Sequence, residues 1–150
     1  MKQKPAAPDA PSLLRRLGAL LYDAVLLLGL LMLAILILIV PYDLLAARPY
    51  PHADPLFRTL LQLYLLAVIG GFFLYFWTHG GQTLGMRAWR LRVRRDDGAP
   101  LRLADAARRL AWATLSLAPA GLGLWWCLVD REGLAWHDRR SGTRLERVAD

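Results

Sequence analysis

The chain contains very little cysteine and very little lysine. One of its 150 residues is cysteine, Cys127, so an intrachain disulfide and a cysteine-based metal cage are both excluded. Lys2 and Lys4 are the only lysines, and the other 17 cations are arginines. Charged residues make up 21% of the chain and hydrophobic residues 56%. This balance excludes intrinsic disorder and is unlike that of a soluble globule, so it predicts a membrane protein.

Catalytic signatures are also missing. The sequence has no G-x-S-x-G elbow, no P-loop and no Gly-rich dinucleotide fingerprint. Neither Ser116 nor Ser141 has an adjacent base in the sequence. The pair His137-Asp138 is not a metal site by itself, because a metal centre needs further ligands and the other two histidines are poorly placed. We therefore expect no enzyme activity, no metal and no cofactor.

Three apolar segments follow one another. Leu17–Val40 carries one charge, Asp23, and its 16 Leu, Ile and Val residues contribute about −8 kcal/mol to insertion against about +3 kcal/mol for the aspartate. Thr59–Trp77 is uncharged and ends in aromatic residues, as membrane interfaces favour. Leu110–Val129 is uncharged but is interrupted by Pro119. We predict an all-α membrane protein with two full transmembrane helices and a third, broken apolar segment.

The cations are unevenly distributed between these segments. Residues 1–16 hold four, residues 41–58 two, the basic loop 78–109 eight and the basic tail 130–150 five. Because cytoplasmic loops collect Lys and Arg, we expect a cytoplasmic N-terminus. If the third segment re-enters the same face, 17 cations lie inside and 2 outside; if it crosses as one kinked span, the split is 12 to 7. The count favours re-entry with its turn at Pro119, and the kinked span stays open.

The basic loop predicts a short cytoplasmic β-ribbon. Residues 87–94 alternate basic and apolar side chains, and residues 96–98 (Asp-Asp-Gly) are a hairpin-turn signal. Residues 100–103 would form the return strand and face the apolar side chains of the first strand, Trp89, Leu91 and Val93. The arginines of this ribbon would then contact anionic headgroups on the cytoplasmic side of the bilayer. Positive-inside topology already explains where the arginines lie, so we expect no nucleic-acid partner.

Asp23 requires an explanation, because carboxylates within a membrane are usually paired or functional. Arg16 lies on the same helix face, but the gap of roughly 10 Å over two turns makes a direct pair poor. We therefore expect arginines from distant segments to reach Asp23. Arg108 and Arg109, at the start of the third segment, are the first candidates, and Arg139 and Arg140 are the second.

A second carboxylate, Asp138, follows Trp136-His137 in the basic tail. We expect it to pair with Arg16 or Arg87. Three interpretations of the charges stay open: a network that locks helix packing, a carboxylate that loads and releases a proton or cation, and an Asp23 that is exposed to lipid without consequence.

Several segments, in this order and spacing, resemble the RDD family of bacterial membrane proteins, which is named for one arginine and two aspartates. The segments are RLGALLYD at 16–23, GQTLGMR at 81–87, the ribbon at 93–98, Arg109, and WHD followed by SGT within 136–143. The resemblance covers most of residues 11–148 and assigns the three signature residues to Arg16, Asp23 and Asp138. Arg87, Arg108, Arg109 and Arg139 would support this charge network.

The resemblance implies a multi-pass protein of the bacterial inner membrane with a role in transport, and some family members are cation/proton antiporters. We expect a disordered tail at 1–12 and a single membrane domain at 13–148. One hypothesis is transport of a small ion or solute through Asp23, which would require an oligomer because so few crossings cannot enclose a path. The alternative is a non-catalytic membrane scaffold or accessory subunit, with a second copy or another membrane protein as its partner.

Overall fold

The computed structural model describes residues 10–118 and 121–148. Residues 1–9, most of the predicted tail, and Pro119, the predicted turn, lie outside the described residues. The described chain is mostly helical, with two long apolar helices and one small sheet. Its elements are α1 (Leu13–Ala46), α2 (Pro55–Thr78), α3 (Leu84–Ala88), β1 (Leu91–Arg95), α4 (Leu103–Leu117), α5 (Leu122–Trp125), a 3₁₀ turn (Trp126–Leu128), α6 (Trp136–Ser141) and β2 (Thr143–Arg147).

The chain divides into two compact units. The apolar unit, residues 24–72, holds most of α1 and α2. Both helices are long and apolar enough to cross a membrane, and α1 continues through Pro41 despite the missing N–H donor. They extend a few residues beyond the apolar segments 17–40 and 59–77, because the flanking residues keep helical geometry after the hydrophobic run ends.

The connection between α1 and α2 has a packed aromatic cluster. The ring centroids of Tyr42 and Tyr50 lie 5.2 Å apart, and those of Tyr50 and Phe57 lie 5.6 Å apart, both edge to face. The Tyr50 hydroxyl donates to the Phe57 carbonyl at 2.7 Å, and the Asp43 carboxylate accepts from the Tyr50 backbone N–H at 2.8 Å. The proline-rich connection is therefore ordered by side-chain contacts rather than by secondary structure.

The basic unit is formed by residues up to 23 together with residues 73–150. Its sheet pairs β1 and β2 antiparallel, with Leu91 opposite Arg147 and Val93 opposite Leu145. Because side chains alternate between the two faces of a strand, the apolar side chains of both strands share one face and the charged ones share the other. That apolar face is part of the core of the unit, which comprises Ala19, Trp77, Met86, Leu91, Val93, Leu101, Ala106 and Leu145.

The predicted ribbon exists, but its predicted partner strand is wrong. The strand that pairs with β1 comes from the C-terminal tail and not from residues 100–103. Pro100 has no N–H to donate to a ladder, and α4 begins at Leu103, where Asp105 accepts from the Arg102 N–H at 3.2 Å and so satisfies the helix start. Trp89 is also not in the strand, because it ends helix α3.

The third apolar segment is broken. Helix α4 ends at Leu117, and the helix formed by Leu122–Leu128 is bent from it by 105°. Gly121, in the left-handed region at φ 75°, begins this second arm. The geometry fits both a broken span and a re-entrant loop.

Candidate functional site: a buried charge cluster and a capped aspartate

Arg16, Arg109 and Asp138 form a buried charge cluster. The Asp138 side chain has no exposed surface, and each arginine side chain is 2% exposed. Arg16 Nη1 lies 2.8 Å from Asp138 Oδ2, and Arg109 Nη1 lies 2.6 Å from Oδ1. The Ala135 backbone N–H also donates to Oδ2 at 3.0 Å, which satisfies the start of α6. One carboxylate therefore joins the beginnings of α1 and α6 to the middle of α4.

Each guanidinium in the cluster has further partners. Arg16 donates to the Pro11 carbonyl at 3.3 Å and to the Gly133 carbonyl at 2.7 Å. Arg109 donates to the Thr143 hydroxyl at 2.6 Å, and its guanidinium lies 5.3 Å from the centroid of the Trp77 ring. The cluster thus connects α1, α4 and α6 to four further parts of the basic unit: the chain before α1, the end of α2, the segment before α6, and β2.

The cluster keeps Asp138 ionised. Burial alone would raise the pKa of this carboxyl, but the charge of Arg109, the neighbouring His137 ring, the charge of Arg16 and the hydrogen bond from Arg16 together lower the pKa by more. The net result is a pKa well below the ordinary value for aspartate. Asp138 is therefore an anion at neutral pH.

His137 lies beside the cluster and contacts Ser116, one of the two serines that have no neighbouring base in the sequence. Its Nδ1 is 3.3 Å from Ser116 Oγ, and its Nε2 is 3.7 Å from Asp138 Oδ1. Ser116 is 1% exposed, and a Cβ added to Gly123 would lie 2.8 Å from the Ser116 Cβ. Because α5 covers Ser116 so closely, this arrangement is a packing contact between α4, α5 and α6 and leaves no room for a substrate on that side.

We expect the protein to lose stability as the pH falls from about 6.5 to about 4. Burial, followed by the charge of Arg109, lowers the pKa of His137 to about 4, so between these pH values the unfolded chain binds a proton that the folded chain does not. The loss should reach about 3 kcal/mol of unfolding free energy. Thermal unfolding of detergent-solubilised protein measures it. His137→Gln should flatten the pH dependence of stability, whereas His52→Gln, on the exposed connection, should leave that dependence unchanged. If stability fell equally steeply with pH in both variants, His137 would not be its cause.

Asp23 does not join the charge cluster. It is 2% exposed, and its Oδ2 accepts from the Thr83 hydroxyl at 2.5 Å while its Oδ1 accepts from the Gly85 backbone N–H at 2.8 Å. Thr83 in turn accepts from the Met86 N–H at 3.2 Å and so caps α3. We call this arrangement the Asp23 cap. It fastens the segment after α2 to the first third of α1.

The arginine partners predicted for Asp23 are wrong, because each of them is engaged elsewhere. Arg109 pairs with Asp138, Arg108 donates to the Ser141 carbonyl at 2.8 Å, and Arg139 pairs with Asp130 at 2.7 Å. The Arg140 guanidinium lies 5.4 Å from the Trp112 ring centroid. A hydroxyl and a backbone N–H can satisfy a buried carboxylate without the cost of burying another charge.

Two partners were possible for Asp138. Arg16 contacts the Asp138 carboxylate, whereas Arg87 does not and is exposed on α3. Sequence reasoning missed the residues that hold the site together without charge: Thr83, Gly85, Thr143 and Trp77. A signal existed for the first two, since Thr83 precedes a short run that begins a helix. Among residues 10–118 and 121–148, no three His, Cys, Asp or Glu side chains are grouped closely enough to hold a metal ion.

Comparison with known proteins identifies one family. A family model described as the RDD family matches residues 10–142. No curated protein and no solved structure matches the chain.

Proposed function

The chain belongs to the RDD family, and on that premise we propose that it is a two-span inner-membrane protein that acts as a non-catalytic scaffold or accessory subunit. Its basic unit would be presented at the cytoplasmic face, where the charge cluster and the Asp23 cap keep it rigid. The partner would be a second copy of the chain or another membrane protein.

Membrane insertion is supported by the surface of the apolar unit. Large apolar side chains along α1 and α2 are exposed there: Val25 is 64% exposed, Leu36 56%, Leu63 58% and Leu66 63%. Water cannot cover so much continuous apolar surface at low cost, whereas hydrocarbon can. With α1 and α2 as the two spans, each is long enough for a core of about 30 Å.

The contacts within the basic unit support a single side for the N-terminus, the basic loop and the tail. Arg16 precedes the first span and contacts Asp138 in the tail. β1 belongs to the loop after the second span and pairs with β2 in the tail. Only the connection 41–58, with two of the 19 cations, then lies on the other side. The positive-inside rule makes the arginine-rich side cytoplasmic.

The scaffold role depends mainly on one observation: both signature carboxylates are buried and in contacts that hold separate elements together. Asp138 is fixed by two guanidiniums and a backbone N–H, and both oxygens of Asp23 accept hydrogen bonds from the segment 83–85. A carboxylate that carries a proton or cation must change partners during each cycle. Groups bound in this way are better suited to a fixed structure.

Purification from native membranes tests the scaffold proposal. The tagged chain, solubilised in mild detergent, should elute with a stoichiometric second copy or membrane protein partner. Asp138→Asn should lose the partner because it disrupts the basic unit, while Asp97→Asn, at an exposed turn, should retain it. A wild-type chain that always elutes as a lone monomer would contradict the scaffold role.

Transport is the second candidate, favoured by the position of Asp23 itself. The carboxylate lies ten residues, about 15 Å, from the start of α1 and is almost completely buried. Proteoliposomes assayed for cation-driven proton movement separate the two functions. The scaffold proposal predicts no flux above that of empty vesicles; a flux that Asp23→Asn abolishes and Asp97→Asn preserves would establish transport instead.

A further inference from the structure

The arms on either side of the break in the third segment carry a large apolar surface in the basic unit. It comes from the end of α4, from α5 and from the 3₁₀ turn, and we call it the apolar tip. The exposed fractions are 59% for Leu115, 65% for Leu122, 49% for Trp125, 48% for Trp126, 62% for Leu128 and 77% for Val129. No charged residue occurs between Leu110 and Val129. Such a surface must be covered in the native environment.

The two ends of the apolar tip lie close together. The segment before it begins with β1 and the segment after it ends in β2, which pair residue by residue. Ser116, near the end of α4, lies 3.3 Å from His137 in α6, so the segment that follows the tip packs against α4 again. Of the two arrangements that fit the bend, contacts between the elements before and after the tip favour a segment that leaves the membrane on the side from which it entered.

The lengths of the two arms agree with a segment that turns back. The uncharged part of α4, from Leu110 to Leu117, rises about 12 Å, and Leu122–Leu128 rises about 10 Å. Each is far shorter than a hydrocarbon core of about 30 Å. With a bend of 105° between them, the arms reach only part of the way into one leaflet.

The interior of the tip is closed by small residues. A Cβ added to Gly123 would lie 3.0 Å from the Ser116 Cα, so the two arms are in backbone contact at this point. The Ser116 hydroxyl, at 1% exposure, faces this closed interior and the His137 ring. The Thr114 hydroxyl donates to the Leu110 carbonyl at 2.9 Å. Both hydroxyls of the described part of the tip therefore have partners within the protein, as a re-entrant segment requires.

We propose that the apolar tip is embedded in the hydrocarbon of the cytoplasmic leaflet and binds its acyl chains. The proposal rests on the membrane insertion proposed above and does not depend on the scaffold role. Trp125 and Trp126, each about half exposed, suit the boundary between headgroups and acyl chains. A protein partner would need polar contacts at the rim of its interface, and residues 110–129 carry no charged side chain with which to make them.

Cys127, the single cysteine, lies within the tip and serves as a probe without further substitution. We expect a membrane-impermeant maleimide to leave Cys127 unlabelled in both spheroplasts and inverted vesicles, and to label it once detergent removes the lipid. Two control variants, each in a Cys127→Ser background, report the aqueous phases. His52→Cys should react only in spheroplasts, and Asp97→Cys only in inverted vesicles.

A second measurement identifies what covers the tip. After labelling of Cys127 with a membrane-permeant fluorophore, lipids with a nitroxide near the headgroup should quench the fluorescence in reconstituted vesicles. Labelling of Cys127 from either aqueous side would overturn the proposal, and so would protection without quenching, which would indicate cover by protein. If the two control cysteines react from the same side, the two-span topology fails instead, so the two failures are distinguishable.

Discussion

Replacement of Asp138 with asparagine should lower the free energy of unfolding by about 3–5 kcal/mol. The substitution preserves the shape of the side chain but removes the negative charge, so Arg16 and Arg109, each 2% exposed, remain buried without a counter-ion. An uncompensated buried charge is among the most destabilising changes that a single substitution can cause. In a chain of this size the loss corresponds to a decrease in Tm on the order of 10 °C.

Asp97→Asn is the matched control for this prediction. Asp97 also pairs with an arginine, Arg95, at 2.9 Å, but its side chain is 54% exposed. An exposed ion pair contributes at most about 1 kcal/mol because water screens it. Thermal unfolding of both variants in the same detergent should therefore show a large difference in Tm, and similar values for the two would be incompatible with a buried cluster.

Gly85→Ala should have the second largest effect, through the Asp23 cap. A Cβ at this position would overlap the Ala19 carbonyl oxygen and would lie 2.8 Å from Asp23 Cγ. Helix α3 would have to move away from α1, and the hydrogen bond from the Gly85 N–H to Asp23 would be lost. Overpacking and a lost bond to a buried carboxylate together should cost about 3 kcal/mol or more.

The same substitution at Gly71 should not destabilise the protein. A Cβ added to Gly71, within α2, would meet no atom within 4 Å apart from its chain neighbours and the nearby backbone of its own helix. Alanine favours a helix over glycine by up to about 1 kcal/mol, so Gly71→Ala should leave stability unchanged or raise it. If Gly85→Ala were as harmless as Gly71→Ala, α3 could not lie against α1 at the Asp23 cap.

The sequence predicts the long elements of this fold because their signal is local. Two long apolar runs, the first with Asp23 as its one charge, are sufficient to predict α1 and α2. The proline and glycines near residue 120 are sufficient to predict a break. In both cases one strong local preference decides the outcome. For Asp138 the sequence predicts two possible partners, Arg16 and Arg87, and the structure shows Arg16.

The partner of β1 and the partners of Asp23 could not be predicted, because in each case several chemically similar groups could make the contact. β1 could pair with residues 100–103 nearby or with the tail, and the choice depends on Pro100 and on the start of α4. Several arginines could have paired with Asp23, but its carboxylate accepts hydrogen bonds from Thr83 and Gly85 instead. Hydroxyls and backbone N–H groups leave little trace in a sequence pattern, although they satisfy a buried acid at a lower desolvation cost than a second charge does.

The central claim is that the buried anion of Asp138 holds the start of α1 to the C-terminal tail, and a double-mutant cycle between Arg16 and Asp138 measures this contact most directly. Unfolding free energies of Arg16→Gln, Asp138→Asn and the double variant give the coupling energy of the pair. Residues in direct contact within one ion network should be non-additive by about 1–3 kcal/mol. Additivity of the two substitutions to within about 0.5 kcal/mol would contradict the claim, because it would mean that the two side chains do not interact in the folded protein.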